Sequence, residues 1–89
     1  MIKTYKALTG GNNMKELLET IAKALVDYPE DVFVNEVEGE RALILELRVS
    51  KEDMGKVIGK QGRIAKAIRA VVKAAAIKED KRVVVEIMQ

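Results

Sequence analysis

The chain has 89 residues, 16 of them Lys or Arg and 14 Asp or Glu, for a net charge of +2, with no cysteine and no histidine. That length makes one domain with a modest core, and the two missing residue types exclude disulfides, thiolate nucleophiles, histidine general bases and the usual zinc ligand sets. No apolar run is long enough to cross a bilayer and the N-terminus lacks a signal-peptide core, so the expectation is a soluble, cytoplasmic protein with no metal site and no cofactor.

Residues 1–13 end in Gly10-Gly11-Asn12-Asn13, which is linker or turn chemistry. They read as a tail or tag-like extension, ahead of a single domain over residues 14–89. The alternative is that Ile2 to Leu8 forms an extra edge strand or an intermolecular contact. From Met14 to Val26 the residues Leu17, Leu18, Ile21, Ala24 and Leu25 recur at helical spacing, with Lys15, Glu16, Glu19 and Lys23 opposite them. Pro29 is a stop signal for that helix, after Tyr28.

Residues 32–37 are rich in valine with Phe33 among them and predict a strand, whose imperfect alternation suggests a bulge. Glu38-Gly39-Glu40-Arg41 is a hairpin turn. The next strand carries Leu43, Leu45, Leu47 and Val49 on one face and Ala42, Ile44, Glu46 and Arg48 on the other. Ser50 is a good N-cap for a short helix from Lys51 to about Val57. A second helix covers roughly residues 63–76, with Ile64, Ala67, Ile68, Val71 and Ala75 as its apolar stripe and Arg63, Lys66, Ala70 and Lys73 on another face. Lys78 to Lys81 form a polar turn, and Val83, Val85 and Ile87 alternate through a last strand. The class is α+β, in the order α-β-β-α-α-β, a three-stranded sheet packed against three helices.

Charge is distributed unevenly along these elements. Residues 14–47 hold three basic and nine acidic side chains, whereas residues 48–82 hold eleven basic and four acidic ones. The basic half contains Val57-Ile58-Gly59-Lys60-Gln61-Gly62-Arg63-Ile64-Ala65-Lys66. Paired glycines let a backbone approach closely and take turns a Cβ forbids. A helix starting just after them directs unpaired N–H groups and a positive dipole end at whatever lies there. Such a place suits a phosphate, and the surrounding cations suggest that the phosphate belongs to a nucleic-acid backbone.

The pattern Val-Ile-Gly-x-x-Gly-x-x-Ile, between two short helices with strands outside them, resembles the KH domain. The element order resembles its type II, bacterial form. Glu52 to Arg69, then Ala74-Ala75-Ala76 and Arg82 to Ile87, are similar to the small single-KH bacterial family KhpA; the first 13 residues are a departure from that pattern. The resemblance implies single-stranded RNA as the ligand and pairing with a second copy or with another KH-domain protein. It implies a loop that clamps the backbone of about four nucleotides while bases lie in an adjacent groove. The candidate RNA-binding residues are Lys56, Ile58, Gly59, Lys60, Gln61, Gly62, Arg63, Ile64 and Lys66. Lys60, Gln61 and the amides of Gly62 and Arg63 are expected to hold phosphates. Met54, Val57, Ile58, Ile64 and Leu45 or Leu47 are the expected groove floor, with the second strand discriminating among bases.

Other readings of the same residues stay open. The glycines alone fit an ordinary helix–helix connection, and Val57, Ile58, Ile64 and Ile68 are core residues first. Lys73, Lys78, Lys81 and Arg82 read as a solvated basic surface, and Glu52 and Asp53 as helix-start residues. Gly55 to Gln61 falls one residue short of a P-loop, with Gln61 where a magnesium-binding Ser or Thr would stand; no enzymatic activity is expected. Only Tyr5, Tyr28 and Phe33 are aromatic, and none lies in the basic half, so a stacking platform of the RRM kind is not expected. A protein-docking module built on the same fold is the alternative function.

Overall fold

The computed structural model describes residues 13–89, and the reading of the preceding residues as a tail lies outside them. Asn13, read with that tail, is the first residue of helix α1, Asn13–Leu25. Strand β1 spans Phe33–Glu38 and β2 Leu43–Arg48. Helix α2 spans Met54–Ile58, α3 Arg63–Lys78, and β3 Val83–Ile87. Single 3-10 turns precede β1 at Pro29–Asp31 and α2 at Lys51–Asp53.

The sheet has the order β1-β2-β3, with the central β2 antiparallel to β1 and parallel to β3. The parallel pair requires a crossover, and α2, the glycine turn and α3 supply it. The β1–β2 register runs unbroken from Phe33↔Arg48 to Glu38↔Leu43, so the expected bulge is absent from the pairing. The alternation of β1 looks irregular because Val34 is its only fully buried side chain. Phe33 and Val37 lie on the uncovered face of the sheet, while Glu36 and Glu38 share the face of Val34 toward the hairpin end.

The helices cover one face. Leu45 and Leu47 of β2, Val34 of β1 and Val83 and Val85 of β3 meet Met14, Leu18 and Ala22 of α1 and Val57 of α2 in one core. Full burial of a Leu or Val side chain stabilises by about 1.5–3 kcal/mol. Helix α3 buries Ala65, Ile68, Val72 and Ala76; of the expected stripe of Ile64, Ala67, Ile68, Val71 and Ala75, Ile68 is buried and Ile64 and Ala75 pack half-buried against the core. The real face is rotated by about one residue: Ala67 is exposed and Val71 is 49% exposed. On α1, Ala22 is buried and Ala24 exposed, a smaller rotation of the same kind.

A carboxylate joins the helices. Asp53, read as a helix-start residue, is fully buried. Its oxygens accept the backbone N–H groups of Asp27 (3.1 Å) and Tyr28 (3.0 Å), which follow the last turn of α1. Those two N–H groups have left the helix and precede Pro29, so neither has a helical acceptor to return to. The buried carboxylate thus fixes where α2, and the loop after it, sit relative to α1.

Candidate nucleic-acid interface

The short helix α2 ends because Gly59 takes φ 76°, ψ 173°, a conformation open in practice to glycine alone. Space gives a second reason: a Cβ on Gly59 would lie 2.6 Å from Cγ1 of Ile64. Gln61 follows at φ 56° and Gly62 at φ 74°, so three of the four loop residues have positive φ. Gly62 meets nothing within 4 Å where a Cβ would stand; its glycine is a matter of backbone angle only. A left-handed non-glycine residue such as Gln61 stores strain of order 1 kcal/mol, a common property of binding loops.

Hydrogen bonds decide which loop groups remain for a ligand. The N–H of Gly62 donates to the carbonyl of Gly59 at 3.1 Å, and that of Arg63 to the carbonyl of Lys60. These are the two amides expected to hold phosphates, and the turn itself consumes them. The amide of Gly59 is also used, on the carbonyl of Gly55. Lys60 and Gln61, both exposed at the tip, have amides with no backbone acceptor among the described residues. They are the open donors of the loop. They lie just ahead of the 16-residue helix α3, whose first residue follows Gly62 and which has no side-chain cap, so its positive end is uncompensated by the protein.

The flanking candidates differ in what the fold leaves them free to do. Lys66 is exposed. Arg63 donates from Nη2 to Oε1 of Gln61 at 3.2 Å, which orients both side chains. The ammonium of Lys56 lies 3.2 Å from the carboxylate of Asp27 and 3.8 Å from that of Asp53. Its hydrogen bond to Asp27, then the charge of Asp27, hold its pKa above the ordinary lysine value of 10.5; at neutral pH it is charged, with that charge shared between two carboxylates. Ile58 and Ile64 are half-buried and present apolar edges beside the glycines, as does Met54 one turn earlier. Val57, Leu45 and Leu47 are fully buried and form no part of a groove floor.

Base discrimination by β2 is corrected in the same way. β2 is the central strand and its backbone groups are paired on both sides. β3 is the outer strand next to α3, and alternate residues of it turn their N–H and C=O groups away from β2. One of these, the carbonyl of Val85, accepts Nε of Arg69 at 3.2 Å. The sequence gives no sign of this contact, because it depends on strand order. At the end of the same edge, Arg48, Val49, Lys51, Met54, Met88 and Gln89 line a recess of about 510 Å³.

This geometry, a glycine-bounded loop between two helices on a β-β-α-α-β scaffold, coincides with a family match. The model of the KhpA/KhpB KH domain matches residues 15–87. The chain belongs to the KhpA/KhpB KH-domain family. It is 80% identical over 75 residues to the RNA-binding protein KhpA of Clostridium perfringens, a match covering 84% of this chain and 100% of that one. Similarity to the RNA-binding protein KhpA of Listeria monocytogenes is 55% over 76 residues, with 85% and 100% covered. For the protein of the same name from Borreliella burgdorferi it is 53% over 78 residues, with 88% and 94% covered. Among solved structures, Era of Aquifex aeolicus bound to GDP·AlF4⁻ superposes with a TM-score of 0.60 at 21% identity, covering 83% of this chain and 29% of that one. That last likeness establishes a shared fold. Membership of the KhpA/KhpB family accounts for the α-β-β-α-α-β order and for the position of the loop between α2 and α3.

Proposed function

We propose that this protein binds single-stranded RNA through the Gly59–Gly62 loop with little sequence preference, as an RNA chaperone or post-transcriptional regulator of the cytoplasm. The observation that carries the reading is the loop tip: two unpaired amides, two exposed side chains and the positive end of α3 converge on one place free of acidic partners. The relatives named RNA-binding protein KhpA support it. A phosphate meets the amides of Lys60 and Gln61, with the Lys60 ammonium as its countercharge. Gly59 and Gly62 keep side chains out of the strand's way. Lys66 adds long-range attraction; Lys56 adds less, since Asp27 and Asp53 already neutralise it. Bases rest on the exposed edges of Ile58, Ile64 and Met54, and the outward groups of β3 meet their edges.

Affinity for a short strand is modest, because stacking on rings contributes about 1–3 kcal/mol per base where rings exist. Here Phe33 stands on β1, the strand at the opposite edge from β3. The deciding experiment replaces Lys60 and Gln61 with aspartate and measures RNA affinity by fluorescence anisotropy. Loss of binding with an unchanged melting curve is expected; unchanged affinity overturns the reading. A nucleotide turnover assay on the same preparation is expected to show no phosphate release.

A second reading concerns pairing with another copy or another KH-domain protein. Phe33, Val37 and Val84 are exposed on the sheet face that no helix covers, an apolar row that a partner would bury. Sedimentation at rising concentration, with Val37→Asp/Val84→Asp as the comparison, tests whether a dimer forms there. Loss of dimer in the variant supports it, and a monomer at all concentrations removes it.

A further inference from the structure

Beyond the loop, the cations of α3 are arranged along one flank. Lys66, Arg69 and Lys73 recur at i, i+3 and i+7, the spacing that puts residues on one side of a helix. Arg69 fixes which side this is, since its Nε is hydrogen-bonded to the carbonyl of Val85 on β3. The flank therefore runs beside the free edge of the outer strand. It leads into a recess of about 420 Å³ where Lys73 and Ile77 of α3 meet Lys81, Arg82 and Val83 across the turn. Ile77 is 64% exposed, an apolar ledge within a cationic surround. Asp80 is the one acidic group lining this recess. Among the described residues the only ion pairs are those of Lys56, so Lys66, Lys73, Lys81 and Arg82 have no carboxylate within pairing distance.

Like charges gathered without partners repel one another, and a folded domain gains nothing from keeping them together. A polyanion laid along them removes that repulsion and releases its own counterions. We propose that this flank and the recess beyond it form a second phosphate-binding stretch, which carries a single RNA strand onward from the glycine loop. The proposal rests on the loop reading and extends it from a short clamp to a longer track. From Lys66 to Ile77 the helix rises about 17 Å, a distance that a tetranucleotide held at the loop leaves unused. Arg69 spends one donor on Val85 and keeps the terminal N–H groups of its guanidinium for phosphate or base edges. Ile77 offers an apolar surface to a base at the far end.

The test is the dependence of affinity on RNA length, by anisotropy of fluorescein-labelled oligouridylates of 4, 8 and 12 nucleotides. Going from 4 to 8 is expected to tighten binding roughly tenfold and to steepen the salt slope by about 1.4–2.1, from two or three added phosphates at about 0.7 each. The variant Lys73→Gln/Lys81→Gln/Arg82→Gln, all at exposed positions, is expected to bind the tetramer within about twofold of the parent and to lose both gains. Lys15→Gln/Lys23→Gln removes positive charge from α1 instead and is expected to keep them. Asp80→Asn is expected to tighten the octamer and leave the tetramer unchanged. The proposal is overturned if the flank variant keeps its length dependence, or if the control variant loses it equally. Lys60→Asp/Gln61→Asp separates the two readings. Should it leave tetramer binding intact, the loop reading fails; should it abolish tetramer binding while the flank variant behaves like the parent, only the extended track fails.

Discussion

At the scale of single residues, the two loop glycines are unequal. Gly59 combines a conformation restricted to glycine with a Cβ position 2.6 Å from Ile64, whereas Gly62 has a left-handed conformation and open space. Asparagine visits the left-handed region at low cost. Gly62→Asn is therefore expected to cost under about 1 kcal/mol, and Gly59→Asn more than about 3 kcal/mol because strain and overpacking add. Urea midpoints measure both, and equal losses would contradict the distinction. Asp53→Asn keeps one acceptor and turns an NH₂ group toward a buried N–H; the expected loss is about 1–3 kcal/mol. Lys56 gives a pH signature. Its pKa is raised in the folded state by Asp27, so the ion pair's contribution is complete below the ordinary value of 10.5 and is lost as pH rises through the raised value. Solvent screens this exposed pair, so the effect is small. The stability difference between the parent and Asp27→Asn is expected to be constant from about pH 7 to 9 and to shrink above about 10.5.

At the scale of elements, the informative case is α3. Its run Ala65 to Ile77 carries alanine, valine or isoleucine on nearly every side, so helical spacing establishes a helix without saying which face turns inward. Packing against α1 and β3 selects Ala65, Ile68, Val72 and Ala76. Adjacent valines make the choice measurable. Val72→Ala, at a fully buried site, is expected to cost about 2 kcal/mol. Val71→Ala, at a half-exposed one, should stay within about 0.5 kcal/mol. A larger loss for Val71→Ala than for Val72→Ala in thermal or chemical denaturation would place the face where the spacing alone suggested. The C-terminal end of α3 also shows local chemistry at work. The N–H of Lys81 returns to the carbonyl of Ala76 at 2.8 Å while Asp80 adopts φ 58°, a closing turn usually built on glycine.

For the whole molecule, the uneven charge acquires a shape. The basic second half of the chain supplies α2, the loop and α3, and α3 packs against β3, the strand at one edge of the sheet. The acidic first half supplies α1 and β1, and β1 forms the opposite edge. A polyanion is steered toward one side. If three or four phosphates of a tetranucleotide are engaged, the logarithm of its association constant should fall with the logarithm of salt with a slope of about −2 to −3. A titration series between low and physiological salt checks this, and a slope near zero would mean that binding does not depend on the phosphates.

The sequence by itself determined the order of elements, their approximate extents and the identity of the loop. Each of these rests on local signals: apolar periodicity, Pro29, the hairpin residues, and glycines whose backbone freedom is a property of the residue itself. Tertiary structure decided what depends on neighbours distant in the chain. Strand order made β3 rather than β2 the edge open to a ligand, and gave Arg69 the Val85 carbonyl. Packing chose the buried face of α3 and closed Leu45, Leu47 and Val57 off from any groove. The fold also turned Asp53 from a helix-start residue into the anchor for the end of α1, because only a folded chain brings its carboxylate to two backbone donors some 25 residues away.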